Sequence, residues 1–164
     1  MAQVTLRGKP VQTVGNVPAV GSAAPDFSLT KADLSELTKA DLAGKRVLLN
    51  IFPSVDTAVC AASVRTFNQR AAEQPGATVV CVSADLPFAQ KRFCAAEGVE
   101  NVQTASTFRS DFGQAFGLTL AETGMRGLLA RAVIVLDEKG NVAHAELVAE
   151  IAQEPDYDAA MKAL

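Results

Sequence analysis

Between Asn50 and Asn68 the chain reads NIFPSVDTAVCAASVRTFN, with Pro53, Thr57 and Cys60 spaced P-x-x-x-T-x-x-C. Cys60 is the residue of this stretch that could do chemistry, because a thiolate is a strong nucleophile where a thiol is not. Cysteines at helix N-termini can have pKa values of roughly 3.5–7.5, against about 8.5 when free. There the unpaired backbone N–H groups and the positive end of the helix dipole favour an anion. Thr57 lies one turn before Cys60, within reach of the sulfur or of a ligand beside it. Taken alone, Cys60 also fits a small buried hydrophobe, since free cysteine is among the most buried residue types. A second group with two readings is Arg131, which interrupts the apolar run LLARAVIVL. An arginine there either faces solvent at the start of a strand or meets an anion.

These side chains need elements to position them. Val47, Leu48, Leu49, Ile51 and Phe52 form an apolar run expected of a strand covered on both faces. Pro53 ends it, having no N–H for the ladder. Helical spacing then begins with Val59, Ser63, Val64, Phe67 and Ala71, with Asp56 or Thr57 as N-cap and Pro75-Gly76 closing the helix after about Glu73. Cys60 thus falls in the first turn of a helix leaving a central strand. Thr78–Ala84 (TVVCVSA) is a second buried strand, and the strand–helix–strand relation implies a right-handed crossover with parallel pairing. Asp85 or Leu86 caps a helix with Pro87 in its first turn, running through Phe93 and Cys94 to Gly98.

Further on, Val102–Ser106 reads as a strand, Asp111–Phe116 as a short helix and Leu128–Leu136 as a long strand. The polar turn Asp137–Asn141 is too short for anything but an antiparallel return through Val142–Val148, and Pro155-Asp156 opens a C-terminal helix. At the other end, Val4–Leu6 and Val11–Val14 flank a turn at Gly8 and read as an N-terminal hairpin. Phe27–Leu29 and Glu36–Thr38 are weaker strands. Periodicity supports an α/β fold with a mixed sheet.

Composition narrows the function. A chain of 164 residues with 49% hydrophobic content suits one domain, residues 1–164, with a core that needs no disulfide staples. The net charge of −3 and the lack of a dense basic run argue against nucleic acid or an anionic membrane as partner. No apolar run approaches about 18 residues, and MAQVTLRGKP does not read as a secretory signal. Three cysteines in such a chain suit a reducing cytoplasm. With one histidine and no two cysteines within four residues of each other, no metal site is expected.

Three segments, PSVDTAVC, SADLPFAQKRFC and RAVIVLDEKG, resemble in order and spacing the thiol peroxidase branch of the peroxiredoxin family. Ala58 departs from the proline common at that position and removes no reactive group. The resemblance implies a thioredoxin-like fold, a mixed central sheet flanked by helices, and a peroxidase acting on hydrogen peroxide and organic or lipid hydroperoxides without a cofactor. Cys60 becomes the peroxidatic nucleophile, with Thr57 donating to the peroxide, Pro53 excluding water and Arg131 holding thiolate and substrate. Cys94 becomes the resolving cysteine, closing an intramolecular disulfide that thioredoxin reduces, and the chain is expected to form a homodimer. Two helix-borne cysteines rarely lie within the roughly 7 Å Cα separation a disulfide permits, so partial unwinding in each turnover is expected.

Cys81, mid-strand, reads as structural, His144 as solvated, and Arg65 and Arg126 as surface residues. Phe27, Phe52, Phe88, Phe112 and Phe116 read as core rather than substrate pocket, with an access groove the alternative for some of them. Two other classes compete. A general disulfide oxidoreductase would want C-x-x-C, but position 63 is serine and position 57 threonine. A redox sensor could use Cys60 and Cys94 but has no need of Thr57 or Arg131.

Overall fold

A computed structural model describes residues 1–164. The N-terminal hairpin is present: β1 (Gln3–Leu6) pairs antiparallel with β2 (Lys9–Gln12). Its turn residues, Arg7 and Gly8, have φ of 51° and 81°. Two successive positive φ values match the twist of a two-residue hairpin loop.

The chain then lays down β3 (Ser28–Lys31), β4 (Glu36–Thr38) and β5 (Arg46–Ile51), followed by helix α1 (Ala58–Ala72). Next come β6 (Ala77–Ser83), α2 (Pro87–Glu97), β7 (Gln103–Ser106) and the one-turn α3 (Phe112–Ala115). β8 (Ala132–Leu136), β9 (Val142–Leu147) and α4 (Tyr157–Lys162) close the chain. The seven-stranded sheet has the order β4-β3-β7-β6-β5-β8-β9. β6 is parallel to both β5 and β7, while the remaining pairs are antiparallel. The expected mixed sheet, parallel β5–β6 crossover and terminal antiparallel return are all there.

Alternation sorts the central strands onto two faces. Val47, Leu49 and Ile51 of β5 join Val80 and Val82 of β6 in a cluster covered by the hairpin and α3. Leu48, Val79, Val133 and Val135 face the other way, against Phe67 and Ala71 of α1 and Ala160 and Met161 of α4. A smaller cluster of Phe52, Val55, Cys60, Val64, Cys81, Phe93 and Val99 fills the space beneath α1 and α2. Phe27, Phe112 and Phe116 pack ring on ring, with centroids 4.2–5.9 Å apart.

Three expectations are corrected. The strand expected from Leu128 begins at Ala132, because Leu129 bridges to Thr119 outside the main ladder. Phe88 is 65% exposed at the start of α2, since Phe93 and Gln90 form that helix's buried face. His144 is not solvated at its ring edge: Nε2 is buried without a hydrogen-bond partner.

Candidate active site

Cys60 and Arg131 meet in the interior. Cys60 is fully buried, Arg131 is 2% exposed, and Arg131 Nη2 donates to Cys60 Sγ at 3.3 Å. Arg131 therefore takes the anion-meeting alternative rather than the solvated one. It stands immediately before β8, where the paired strand β5 runs toward Phe52 and Pro53. Nε of the same guanidinium donates to the Ile151 carbonyl at 2.8 Å, while Nη1 is buried with no partner. A rigid fork thus has one arm on the fold, one on the sulfur and the Nη1 amino group left to give.

Thr57 is the N-cap of α1, accepting from Cys60 N at 3.4 Å. Its hydroxyl proton goes to the Ser54 carbonyl at 3.3 Å, not to the sulfur. Capping fixes the first helical turn, and with it Cys60, just beyond the end of β5. Pro53 is buried behind it. Pro53, Thr57 and Arg131 all border a cleft of about 400 Å³, whose other walls include Leu6, Val59 and Met125. The walls are mostly apolar, with the cation of Arg131 among them.

The hairpin reaches this site through its anchors. Ile151, which receives Arg131 Nε, donates its own N–H to the Thr5 carbonyl at 2.8 Å. The Glu150 carboxylate accepts from Ala152 N at 2.8 Å, Gly8 N at 2.9 Å and Thr5 Oγ1 at 3.0 Å. Those backbone N–H groups, Ala152 first and Gly8 second, pull its pKa down to about 2. No spacing rule marked Glu150 or the Ile151 carbonyl, because both act through backbone groups distant in sequence.

The other two cysteines sit differently. Cys81, in β6, is fully buried beside Asn50 Nδ2 at 3.6 Å, and burial pushes its thiol up to about 12. This agrees with a structural role. Cys94, in α2, is half-buried against the cluster that holds Cys60 and Cys81. Burial raises its pKa, partly offset by a hydrogen bond with Thr104. It also borders a second cleft of about 310 Å³. All three thiols are free in this state. Arg65 pairs with Glu97 at 3.4 Å on the surface.

Leu86, not Asp85, caps α2. The Asp85 carboxylate instead turns to the loop before Cys60, accepting from Ser54 Oγ at 2.8 Å and Val55 N at 2.9 Å. No helix of the structure is long and apolar enough to cross a membrane.

The chain is similar to known proteins along nearly its whole length. Residues 19–161 match the family model described as Redoxin. The chain is 63% identical over 164 residues to a thiol peroxidase of Mycobacterium tuberculosis, covering all of this chain and 99% of the relative. It is 52% identical, with the same coverage, to a thiol peroxidase of Corynebacterium glutamicum. Among solved structures, a peroxiredoxin-like protein from Aquifex aeolicus superposes with a TM-score of 0.94 at 39% identity, covering 99% of this chain and 95% of the other. A thiol peroxidase from Chromobacterium violaceum, at 22% identity, has the same fold with a TM-score of 0.90 over 98% and 93% of the two chains.

Proposed function

Since the chain belongs to the redoxin family, in the thiol peroxidase branch of the peroxiredoxins, and reduces peroxides at the expense of thiols, we propose that Cys60 is its peroxidatic residue and Cys94 its resolving one. The observation that carries this reading is the buried contact between Cys60 Sγ and Arg131 Nη2 beside an unpartnered Nη1.

The Cys60 thiolate attacks the nearer oxygen of the hydroperoxide. The O–O bond breaks, the leaving oxygen takes a proton and departs as water or alcohol, and Cys60 becomes a sulfenic acid. Arg131 supplies preorganised donors where charge develops: Nη2 at the sulfur and Nη1 toward a peroxide oxygen. Thr57, on the same cleft, turns its hydroxyl from the Ser54 carbonyl to the substrate, and buried Pro53 keeps water from the sulfur. The apolar walls at Leu6, Val59 and Met125 receive the organic part of an alkyl or lipid hydroperoxide. Cys94 then attacks the sulfenic sulfur, releasing water and closing the Cys60–Cys94 disulfide, which thioredoxin reopens by dithiol exchange. Because Cys60 is sealed in the core and Cys94 rides on a separate helix, closure needs local unwinding of α1 or α2. The enzyme works as a one-domain cytoplasmic homodimer in antioxidant defence.

Peroxide consumption with thioredoxin, thioredoxin reductase and NADPH tests this reading. The native chain should turn over, Cys60→Ser should not, and Cys94→Ser should consume about one peroxide per chain and stop. Full activity in Cys60→Ser would place the nucleophile elsewhere.

A further inference from the structure

The two elements that carry the reactive cysteines are tied together at one carboxylate. On the Cys60 side, Asp85 accepts from Ser54 Oγ at 2.8 Å and Val55 N at 2.9 Å. Ser54 in turn organises the approach to Cys60. Its hydroxyl accepts from Asp56 N at 3.1 Å and its carbonyl from Thr57 N and Thr57 Oγ1, both at 3.3 Å. Thr57 Oγ1 then accepts from Cys60 N. Val55 adds a buried side chain to the cluster that includes Cys60 and Phe93.

On the Cys94 side, Asp85 lies two residues before α2 and is itself held in place. Ser83 Oγ donates to its carboxylate at 2.6 Å, and Ser106 Oγ donates to its carbonyl at 2.5 Å. Gln90, fully buried and one turn before Cys94, donates to Ser83 Oγ at 3.0 Å and to the Ala105 carbonyl at 3.1 Å. Two ion pairs also span the two elements, Arg92–Asp56 at 3.7 Å and Arg65–Glu97 at 3.4 Å. Their partners are 35–71% exposed, and such pairs contribute little. Hydrogen bonds to a charged acceptor in a part-buried site are the strong ones.

We propose that Asp85 is a positioning residue that clamps the Pro53–Thr57 loop to the start of α2, and so sets how oxidised Cys60 divides between resolution and overoxidation. The inference rests on the roles given above to Cys60 and Cys94. While the clamp is closed, the sulfenate stays in the Arg131 pocket, open to a second peroxide. In that reaction the sulfenate sulfur takes the nearer oxygen, the O–O bond breaks, and the farther oxygen keeps the peroxide's proton and leaves as water or alcohol, so that Cys60 becomes a sulfinate and the peroxide is reduced. When the clamp opens, the Cys94 thiolate reaches the sulfenic sulfur. The S–S bond forms, the S–O bond breaks, and hydroxide leaves and takes a proton to become water. Ser54, Val55 and Ser83 together present more donors to Asp85 than the single acceptor oxygen of an asparagine can satisfy.

The test compares native protein with Asp85→Asn by rapid quenching, thiol trapping and mass spectrometry, using hydrogen peroxide. Disulfide formation should become about tenfold faster, and the Cys60 sulfinate fraction at a fixed peroxide excess should fall by a similar factor, the scale of one hydrogen bond to a charged group. Initial oxidation of Cys60 should slow, because the loop that presents it is looser. Opposite shifts in the two steps distinguish positioning from general damage, which would slow both. Unchanged disulfide rate and sulfinate fraction, or a parallel fall of both rates, overturns the proposal. If Asp85→Asn does not fold, Ser54→Ala removes one contact and should shift the same two readouts in the same directions, by about two- to threefold; no shift overturns the proposal. A native chain that forms no Cys60–Cys94 disulfide would instead overturn the cysteine roles, and this inference with them.

Discussion

Cys60 and Cys81 are both fully buried and belong to the same apolar cluster, yet their surroundings are opposite. Cys60 opens a helix, takes a hydrogen bond from a guanidinium at 3.3 Å and lies behind a cleft. Cys81 lies mid-strand, where its sulfur accepts from the Asn50 amide and meets no cation, and burial pushes it up to about 12. Burial alone makes a thiol inert, because a low-dielectric interior penalises the charged form. What distinguishes the surroundings of Cys60 is a buried guanidinium delivered from the start of another strand, and the nucleophile role proposed for Cys60 rests on it.

The sharpest way to break that contrast is to remove the cation. Arg131→Met keeps much of the volume but strips Cys60 of its charged partner and the cleft of its free N–H. The single-turnover rate of Cys60 with peroxide should fall about 10²–10³-fold, as when one preorganised donor to developing charge is lost. Arg131→Lys should recover little, because an ammonium cannot hold the Ile151 carbonyl and the sulfur as a fixed fork. A loss under tenfold in Arg131→Met would mean that the helix terminus alone separates Cys60 from Cys81.

The next test concerns Cys81. Its folded pKa lies above the ordinary value near 9, so the neutral thiol is favoured by folding. That contribution is fully present below about pH 9 and drains away as pH rises toward 12. By pH 10 the loss should reach roughly 1.4 kcal/mol, one pKa unit's worth. Urea unfolding of native protein and Cys81→Ala at pH 8 and pH 10 isolates it, since the mutant should lose less over that interval. Equal losses would show that Cys81 ionises as readily in the fold as outside it.

Much of this contrast was legible in the sequence. The apolar run ending at Pro53, the cap at Thr57 and the helical spacing after it place Cys60 at a helix start. Mid-strand Cys81 reads as structural without further help. Arg131 remained ambiguous, because an arginine at the head of a strand says nothing about which way it turns. Strand pairing decided it, since β8 runs antiparallel beside β5 and brings Arg131 to the end from which Cys60 leaves. Phe88 failed for a local reason: α2 buries Gln90 and Phe93, and a polar residue took the place that apolarity would have assigned elsewhere. Asp85 and Leu86 both suit a cap before Pro87, and the structure gives that place to Leu86. The Asp85 carboxylate is instead drawn to donors 30 residues away, a pairing that depends on the crossover from β5 to β6.

A smaller effect should follow from Thr57. Replacing it with alanine leaves Cys60 N without its acceptor, and loss of an N-cap costs about 1 kcal/mol. Thermal unfolding should show that loss, while Thr57→Ser should restore the cap. If the hydroxyl also turns to substrate, the serine should recover most of the peroxide rate as well. Recovery of stability without recovery of rate would mean that the methyl group shapes the cleft.

The smallest expected effect comes from the hairpin. Glu150 holds the turn at Gly8 and the strand at Thr5, and the adjacent Ile151 carbonyl orients Arg131. Glu150→Gln keeps the shape but removes the charge that makes these hydrogen bonds strong. Amide exchange at Gly8 and Ala152 should quicken several-fold, with a change of less than about threefold in the Cys60 peroxide rate, because Ile151 N still donates to the Thr5 carbonyl. The carboxylate's contribution is present above its ordinary value and fades as pH falls toward about 2, so native and mutant hairpins should exchange alike only in strong acid. A peroxide rate that tracked hairpin exchange one for one would show that Arg131 is held to Cys60 chiefly by the N-terminus, and not by the strand on which it begins.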